Sequence, residues 1–195
     1  MGKSLGKMLF FKSGSEKLEP VNKGFFDFTM TDIKGNPVNF ESFRGKYKAY
    51  IIVNVASACG LANANYTQLA KFHDQYESLG LKILGFPCNQ FNGQENKCEL
   101  DIEEFVRTKF NIKFDMFSKI EVNGPNCHPL YKFLRRNSEL YDPKTDTCKE
   151  IEWNFVKFIV NQNGKVVAFK AATDKPDSFR PMIEQLLKEP LQKTK

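Results

Sequence analysis

The side chain best placed to do chemistry is Cys59. It lies in the small-residue stretch Ala56-Ser57-Ala58-Cys59-Gly60, directly after the nearly continuous apolar run Ala49–Val55. Beyond it, from Tyr66, apolar residues recur at three- and four-residue intervals through Leu69, Phe72, Tyr76 and Leu79. The run predicts a strand buried on both faces, and the spacing predicts a helix that Gly80 can end. A thiol attacks electrophiles as its thiolate, and free cysteine, with a pKa of about 8.5, is only slightly ionised at neutral pH. The first turn of a helix offers unpaired N–H groups and the positive end of the peptide dipoles, both of which stabilise an anion. Cys59 is therefore expected to be a nucleophile rather than a packing residue.

Cys88, Cys98, Cys127 and Cys148 complete the five cysteines. They form neither a CxxC nor a zinc-ligand spacing, and His73 and His128 stand apart, so no metal site is expected. Burial as a small apolar side chain is the default for Cys88, Cys127 and Cys148. An odd number of cysteines without a secretory signal suits a reducing, cytoplasmic compartment with at least one reactive thiol.

The elements that must position Cys59 can be read around it. Leu81–Phe86 is a second buried strand, so strand, helix and strand form a βαβ unit, whose right-handed crossover puts the Cys59 turn at the carboxyl ends of the strands. Upstream, Phe25–Thr31 and Val38–Phe40 flank the turn Lys34-Gly35-Asn36-Pro37 as an N-terminal hairpin. Downstream come a helix over Asp101–Phe110 with Ile102, Phe105 and Val106 inward, and a helix opened by Pro129 through Leu130, Phe133 and Leu134. A polar loop from Arg136 to Glu150, an antiparallel pair over Phe155–Val160 and Lys165–Phe169, and an amphipathic helix over Ser178–Lys188 follow. The plan is α/β and thioredoxin-like: a central mixed β-sheet flanked by helices, with an N-terminal β-hairpin.

A chain of 195 residues supports one such core. The domain is expected over residues 22–190, after a flexible N-terminal arm over residues 1–21. The arm's apolar patch, Met8-Leu9-Phe10-Phe11, is too short to span a membrane. Nineteen phenylalanines predict a core dominated by aromatic packing. The net charge of +6 comes from scattered lysines, with no basic run interleaved with aromatics, so no nucleic-acid partner is expected.

Three blocks resemble the signature segments of the glutathione peroxidase family in order and spacing: Asn54-Val55-Ala56-Ser57-Ala58-Cys59-Gly60, Phe86-Pro87-Cys88-Asn89-Gln90-Phe91 with Gln94-Glu95, and Trp153-Asn154-Phe155. The resemblance covers roughly residues 24–188. It implies a thiol-dependent peroxidase with a four-residue site: Cys59 in the place of the family's selenocysteine or cysteine, surrounded by Gln94, Trp153 and Asn154. Amide and indole N–H groups can donate to a thiolate and to a peroxide oxygen without bringing a competing charge. The implied reaction passes through a Cys59 sulfenic acid and needs no cofactor beyond reduced glutathione or thioredoxin as co-substrate.

Thioredoxin-using members carry a resolving cysteine where this chain has Arg107, which leaves Cys98 and Cys88 as candidates for that role and makes glutathione the favoured reductant. Phe114-Asp115-Met116-Phe117-Ser118-Lys119-Ile120 resembles the phospholipid-hydroperoxide branch, and the span from Gly124 to Trp153 lacks the insertion that resembles the subunit-contact loop of tetrameric members. A monomer is implied, open to lipid hydroperoxides as well as hydrogen peroxide, with transient contact to a membrane surface. Two other readings stay open: a peroxide sensor or thiol oxidase that passes oxidation from Cys59 to protein thiols, and a non-catalytic interaction module of the same fold.

Overall fold

The computed structural model of the chain describes residues 14–192. In chain order the elements are β1 (Ser15–Glu16), β2 (Thr29–Thr31), β3 (Pro37–Asn39), β4 (Ala49–Val55), α1 (Ala62–Tyr76), β5 (Leu81–Pro87), α2 (Glu99–Phe110), β6 (Asp115–Met116) and α3 (Pro129–Arg136). They continue with β7 (Tyr141–Asp142), β8 (Thr147–Lys149), β9 (Lys157–Asn161), β10 (Val166–Lys170) and α4 (Arg180–Lys188). Five strands form the central sheet in the order β10-β9-β4-β5-β6. The β4–β5 and β5–β6 pairs are parallel and the β9 pairs antiparallel, as expected of a mixed sheet whose first half is a βαβ unit.

Every residue of β4 is buried, which is why its sequence is apolar, Asn54 excepted, rather than alternating. Alternation instead divides its side chains between two layers. Ile51, Val53 and Val55 join α1, α2 and α4 on one face, together with Cys59. Tyr50 and Ile52 face α3 and the N-terminal hairpin β2–β3 on the other, where most of the phenylalanines gather. The side chains of Met116 on β6 and of Phe114 pack over Gly85 of β5, where an added Cβ would meet Met116 Sδ at 2.7 Å and Phe114 Cε2 at 3.2 Å, so a larger residue would have to displace them.

Several expectations need correction. Of the arm expected over residues 1–21, residues 14–21 belong to the domain, because Ser15 and Glu16 pair with Lys149 and Cys148 and Leu18 is buried; residues 1–13 lie outside the described residues. The polar loop expected from Arg136 to Glu150 contains β7 and β8, which with β1 make a small antiparallel sheet. Phe25–Asp27 is a 3-10 turn, closed by Gly24 N–H donating to Asp27 Oδ2 at 2.8 Å. That turn lets the adjacent Phe25 and Phe26 both enter the core, which a strand's alternation would forbid. Leu79 is exposed, because α1 ends at Tyr76 and the following 3-10 turn rotates it outward before Gly80 takes a φ of 108°. Phe105 is half-buried, whereas Ile102 and Val106 are buried as expected.

Candidate active site

Cys59 lies in the turn between β4 and α1, two residues before the N-cap residue Leu61. The Leu61 N–H donates to Cys59 Sγ at 3.4 Å, and the Ala62 N–H to the Cys59 carbonyl at 2.9 Å. The thiol thus has the helix-start donor that the sequence pattern promised. Its side chain is nearly covered, but Ala58 and Gly60 on either side are exposed, so the site opens at the rim of the sheet's carboxyl edge.

Two straps bring the other residues to this turn. In the first, Asn92 and Gly93 adopt left-handed φ values of 54° and 63°, reversing the chain so that Gln94 returns toward β4. The Gln94 N–H donates to the Phe91 carbonyl at 3.2 Å, and the Ala58 N–H donates to the Gln94 carbonyl at 3.1 Å. In the second strap Phe155 takes a φ of 66°, a costly conformation for a bulky residue. Asn54 on β4 holds it there. The Asn54 carbonyl accepts from Phe155 N–H at 2.6 Å, Asn54 Nδ2 donates to the Trp153 carbonyl at 3.0 Å, and Asn54 Oδ1 accepts from Val156 N–H at 3.0 Å. The strand expected from Phe155 accordingly begins only at Lys157.

The straps meet where Asn154 Nδ2 donates to Gln94 Oε1 at 2.9 Å. This contact occupies the accepting end of the glutamine and leaves its donating end for a bound anion or peroxide oxygen. Asn154 is fully buried, and its Oδ1 has no protein partner. Trp153 is half-buried, packs against the core layer that contains Cys59, and lies with its ring centroid 5.9 Å from that of Phe91. Gln94 and Asn154 are thus in contact, and the Gln94 backbone is bonded to Ala58, the residue before Cys59.

The remaining thiols are distributed differently. All five are unpaired. Cys88 is buried in the layer on the other face of the sheet from Cys59, and burial pushes its thiol up to about 11. Cys98 is exposed at the N-cap of α2. Cys127 and Cys148 are buried, and burial raises both above the ordinary thiol value. Among the described residues no three His, Cys, Asp or Glu side chains gather in a way that could hold a metal ion.

Two residues assigned no role by the sequence reading belong to this site, Asn54 and Glu95. Asn54 could have been found as the one polar residue in a fully buried strand, since a buried amide must be hydrogen-bonded. Glu95, with 1% exposure, is a buried carboxylate whose Oε2 accepts from Ser57 N–H at 2.7 Å and Ser57 Oγ–H at 3.0 Å. Replacing Asn54 by alanine is expected to lower stability by about 1–3 kcal/mol, because it strands the Trp153 carbonyl and the Val156 N–H. The peroxide rate per folded molecule should fall with it; urea unfolding and single-turnover kinetics on the same preparation check both.

Comparison with known proteins gives a concordant picture. The profile of the family described as glutathione peroxidase matches residues 25–135. "Glutathione peroxidase 1" of Caenorhabditis elegans is 42% identical over 168 residues, covering 85% of this chain and 98% of that protein. "Probable phospholipid hydroperoxide glutathione peroxidase" of Nicotiana sylvestris is 43% identical over 165 residues, covering 85% and 94%. The crystal structure of Trgpx in its apo form superposes with a TM-score of 0.67 at 31% identity, covering 87% of this chain and 99% of that one. With the fold, the three sequence blocks and these relatives in agreement, the chain belongs to the glutathione peroxidase family and is an oxidoreductase that reduces hydroperoxides.

Proposed function

We propose that Cys59 is the peroxidatic nucleophile and that Gln94, Trp153 and Asn154 stabilise the charge it carries and creates. The Cys59 thiolate attacks one peroxide oxygen; an S–O bond forms as the O–O bond breaks, and the departing alkoxide or hydroxide takes a proton to leave as alcohol or water. The amide and indole donors favour this step because negative charge moves from sulfur to the leaving oxygen within their reach. A thiol then attacks the sulfenic sulfur, releasing water and forming a mixed disulfide, and a second thiol displaces Cys59 to restore it. No bound cofactor takes part in this scheme. The Gln94–Asn154 amide pair, tied to the Cys59 turn through Ala58, carries the proposal.

Glutathione is the reductant this reading favours. Arg107 stands where thioredoxin-using members have a resolving cysteine, and its guanidinium is committed to the Ile112 and Phe114 carbonyls in the segment after α2. Cys88 is covered and on the wrong face, which leaves Cys98 as the one internal alternative. Peroxide consumption with glutathione and glutathione reductase, compared with thioredoxin and thioredoxin reductase, tests this in wild type and Cys98→Ser. Turnover with glutathione that survives Cys98→Ser is expected. Turnover supported by thioredoxin alone and lost in Cys98→Ser would assign the resolving role to Cys98.

The substrate range of this reading includes lipid hydroperoxides. The exposed Leu100 on α2, with Lys97 and Lys109 over the Phe105 ring, supports a transient contact with a membrane surface. Among the described residues no helix is long and apolar enough to cross a membrane. The protein acts as a monomer in this reading, and the cytoplasm is its proposed place, although one relative from Arabidopsis thaliana is named mitochondrial.

A further inference from the structure

The turn that carries Cys59 is held from outside by a single buried carboxylate. Glu95 Oε2 takes both the N–H and the hydroxyl of Ser57, at 2.7 Å and 3.0 Å, while Ala58 N–H goes to the carbonyl of Gln94 at 3.1 Å. Glu95 is in turn anchored by its own N–H, which donates to Asn89 Oδ1 at 2.8 Å. Three donors from residues 57 and 58 therefore end on residues 94 and 95, immediately beside the thiol at one end and the amide Gln94 at the other. One strap sets both the turn that presents the nucleophile and the side chain that receives the developing charge. Displacements of about 1 Å between such groups can cost a hundredfold in rate.

A carboxylate is an expensive choice for holding a turn, because burying its charge costs more than burying a neutral amide acceptor. What the charge adds is strength, since hydrogen bonds to an ionised acceptor are about twice as strong as neutral ones. We propose that Glu95 is a positioning residue for the peroxide-reducing step, its ionised side chain fixing the Ser57–Cys59 turn against Gln94 and Asn154. This rests on Cys59 being the nucleophile.

The groups around Glu95 bear on its charge. Burial raises its titration above the usual glutamate value, against the two Ser57 donors and, less strongly, Lys119 and Lys97, which favour the carboxylate. From α1 the buried Tyr66 hydroxyl faces the same region as Glu95 and Cys59, and burial, above all, holds it far above its usual value. Neither Glu95 Oε1 nor the Tyr66 hydroxyl has a protein partner. Protonation of Glu95 on acidification replaces an ionised acceptor by a neutral one and so weakens the hold on Ser57.

The test compares two rates on one thiol: oxidation of Cys59 by hydrogen peroxide in a single turnover, and its alkylation by iodoacetamide, across about pH 5–8. Their ratio cancels the ionisation of Cys59 and retains what is specific to peroxide. In wild type the ratio is expected to fall as the pH is lowered. In Glu95→Gln, which keeps an oxygen acceptor but cannot ionise, it should be flat. In Glu95→Ala it should be at least tenfold below wild type at neutral pH, or about 1.4 kcal/mol of barrier. A ratio in Glu95→Gln that follows the wild-type curve overturns the proposal, and this decides the matter even if Glu95→Ala does not fold. Failure of wild type to oxidise Cys59 at all would instead overturn the assignment of the nucleophile, a distinct result.

Discussion

Cys59→Ser is expected to abolish peroxide reduction, with kcat/KM lower by at least about a thousandfold under conditions in which wild type turns over with glutathione. Oxygen replaces sulfur with little change in volume, and the Leu61 N–H that donates to Sγ at 3.4 Å can donate equally to a serine hydroxyl, so the fold should be retained. What is lost is the polarisable, readily ionised atom. A serine hydroxyl is far harder to ionise than a thiol, and amide donors act only on charge already present. Circular dichroism and thermal unfolding on the same samples separate loss of chemistry from loss of structure. Retention of substantial activity would move the chemistry to another thiol, of which Cys98 is the most exposed.

Arg135→Ala is expected to destabilise the protein by about 3–5 kcal/mol without altering the peroxide rate per folded molecule. Arg135 has no exposed surface, and Nη1 donates to Glu16 Oε1 at 2.6 Å and to the Val122 carbonyl at 3.2 Å. Nη2 and Nε reach the Lys149 carbonyl at 3.0 Å and 3.2 Å. This one side chain joins α3, β8 and the N-terminal β1. Removing it leaves Glu16 without its cationic partner, takes donors away from the Val122 and Lys149 carbonyls, and opens a cavity. Its neighbours Val122 and Cys127 lie in the layer across the sheet from Cys59, which is why stability and catalysis should separate. Urea midpoints measure the first effect, and rates normalised to folded protein measure the second.

The difference between these two residues reflects what a linear sequence can convey. The βαβ unit around Cys59 was legible because its signals are local: a strand buried on both faces, a three- and four-residue periodicity, and small residues between them. The β4 boundaries agree with the expectation to the residue, and α3 begins at the expected Pro129. Arg135 was invisible, because its partner Glu16 is 119 positions away and β1 has only two residues, too few for any periodicity to register. The site behaves similarly. The position of Cys59 followed from the strand and helix on either side of it, whereas Gln94, Trp153 and Asn154 were legible only through a family resemblance. The Gln94–Asn154 contact spans 60 positions, and the turn that aims Asn154 depends on a left-handed Phe155 that local propensity argues against. Asn54 and Glu95, which hold the two straps, lay within the recognised blocks, but their roles depend on partners brought near only by the fold.

With Cys59 as the peroxidatic thiol, one turnover with peroxide leaves a sulfenic acid on Cys59. Reduced protein mixed with one equivalent of hydrogen peroxide in the presence of dimedone, then digested and analysed by mass spectrometry, tests it directly. The adduct is expected on the peptide containing Cys59, with Cys88, Cys127 and Cys148 unmodified in their buried positions. An adduct on Cys98 with Cys59 still reduced would instead make Cys98 the thiol that reacts with peroxide.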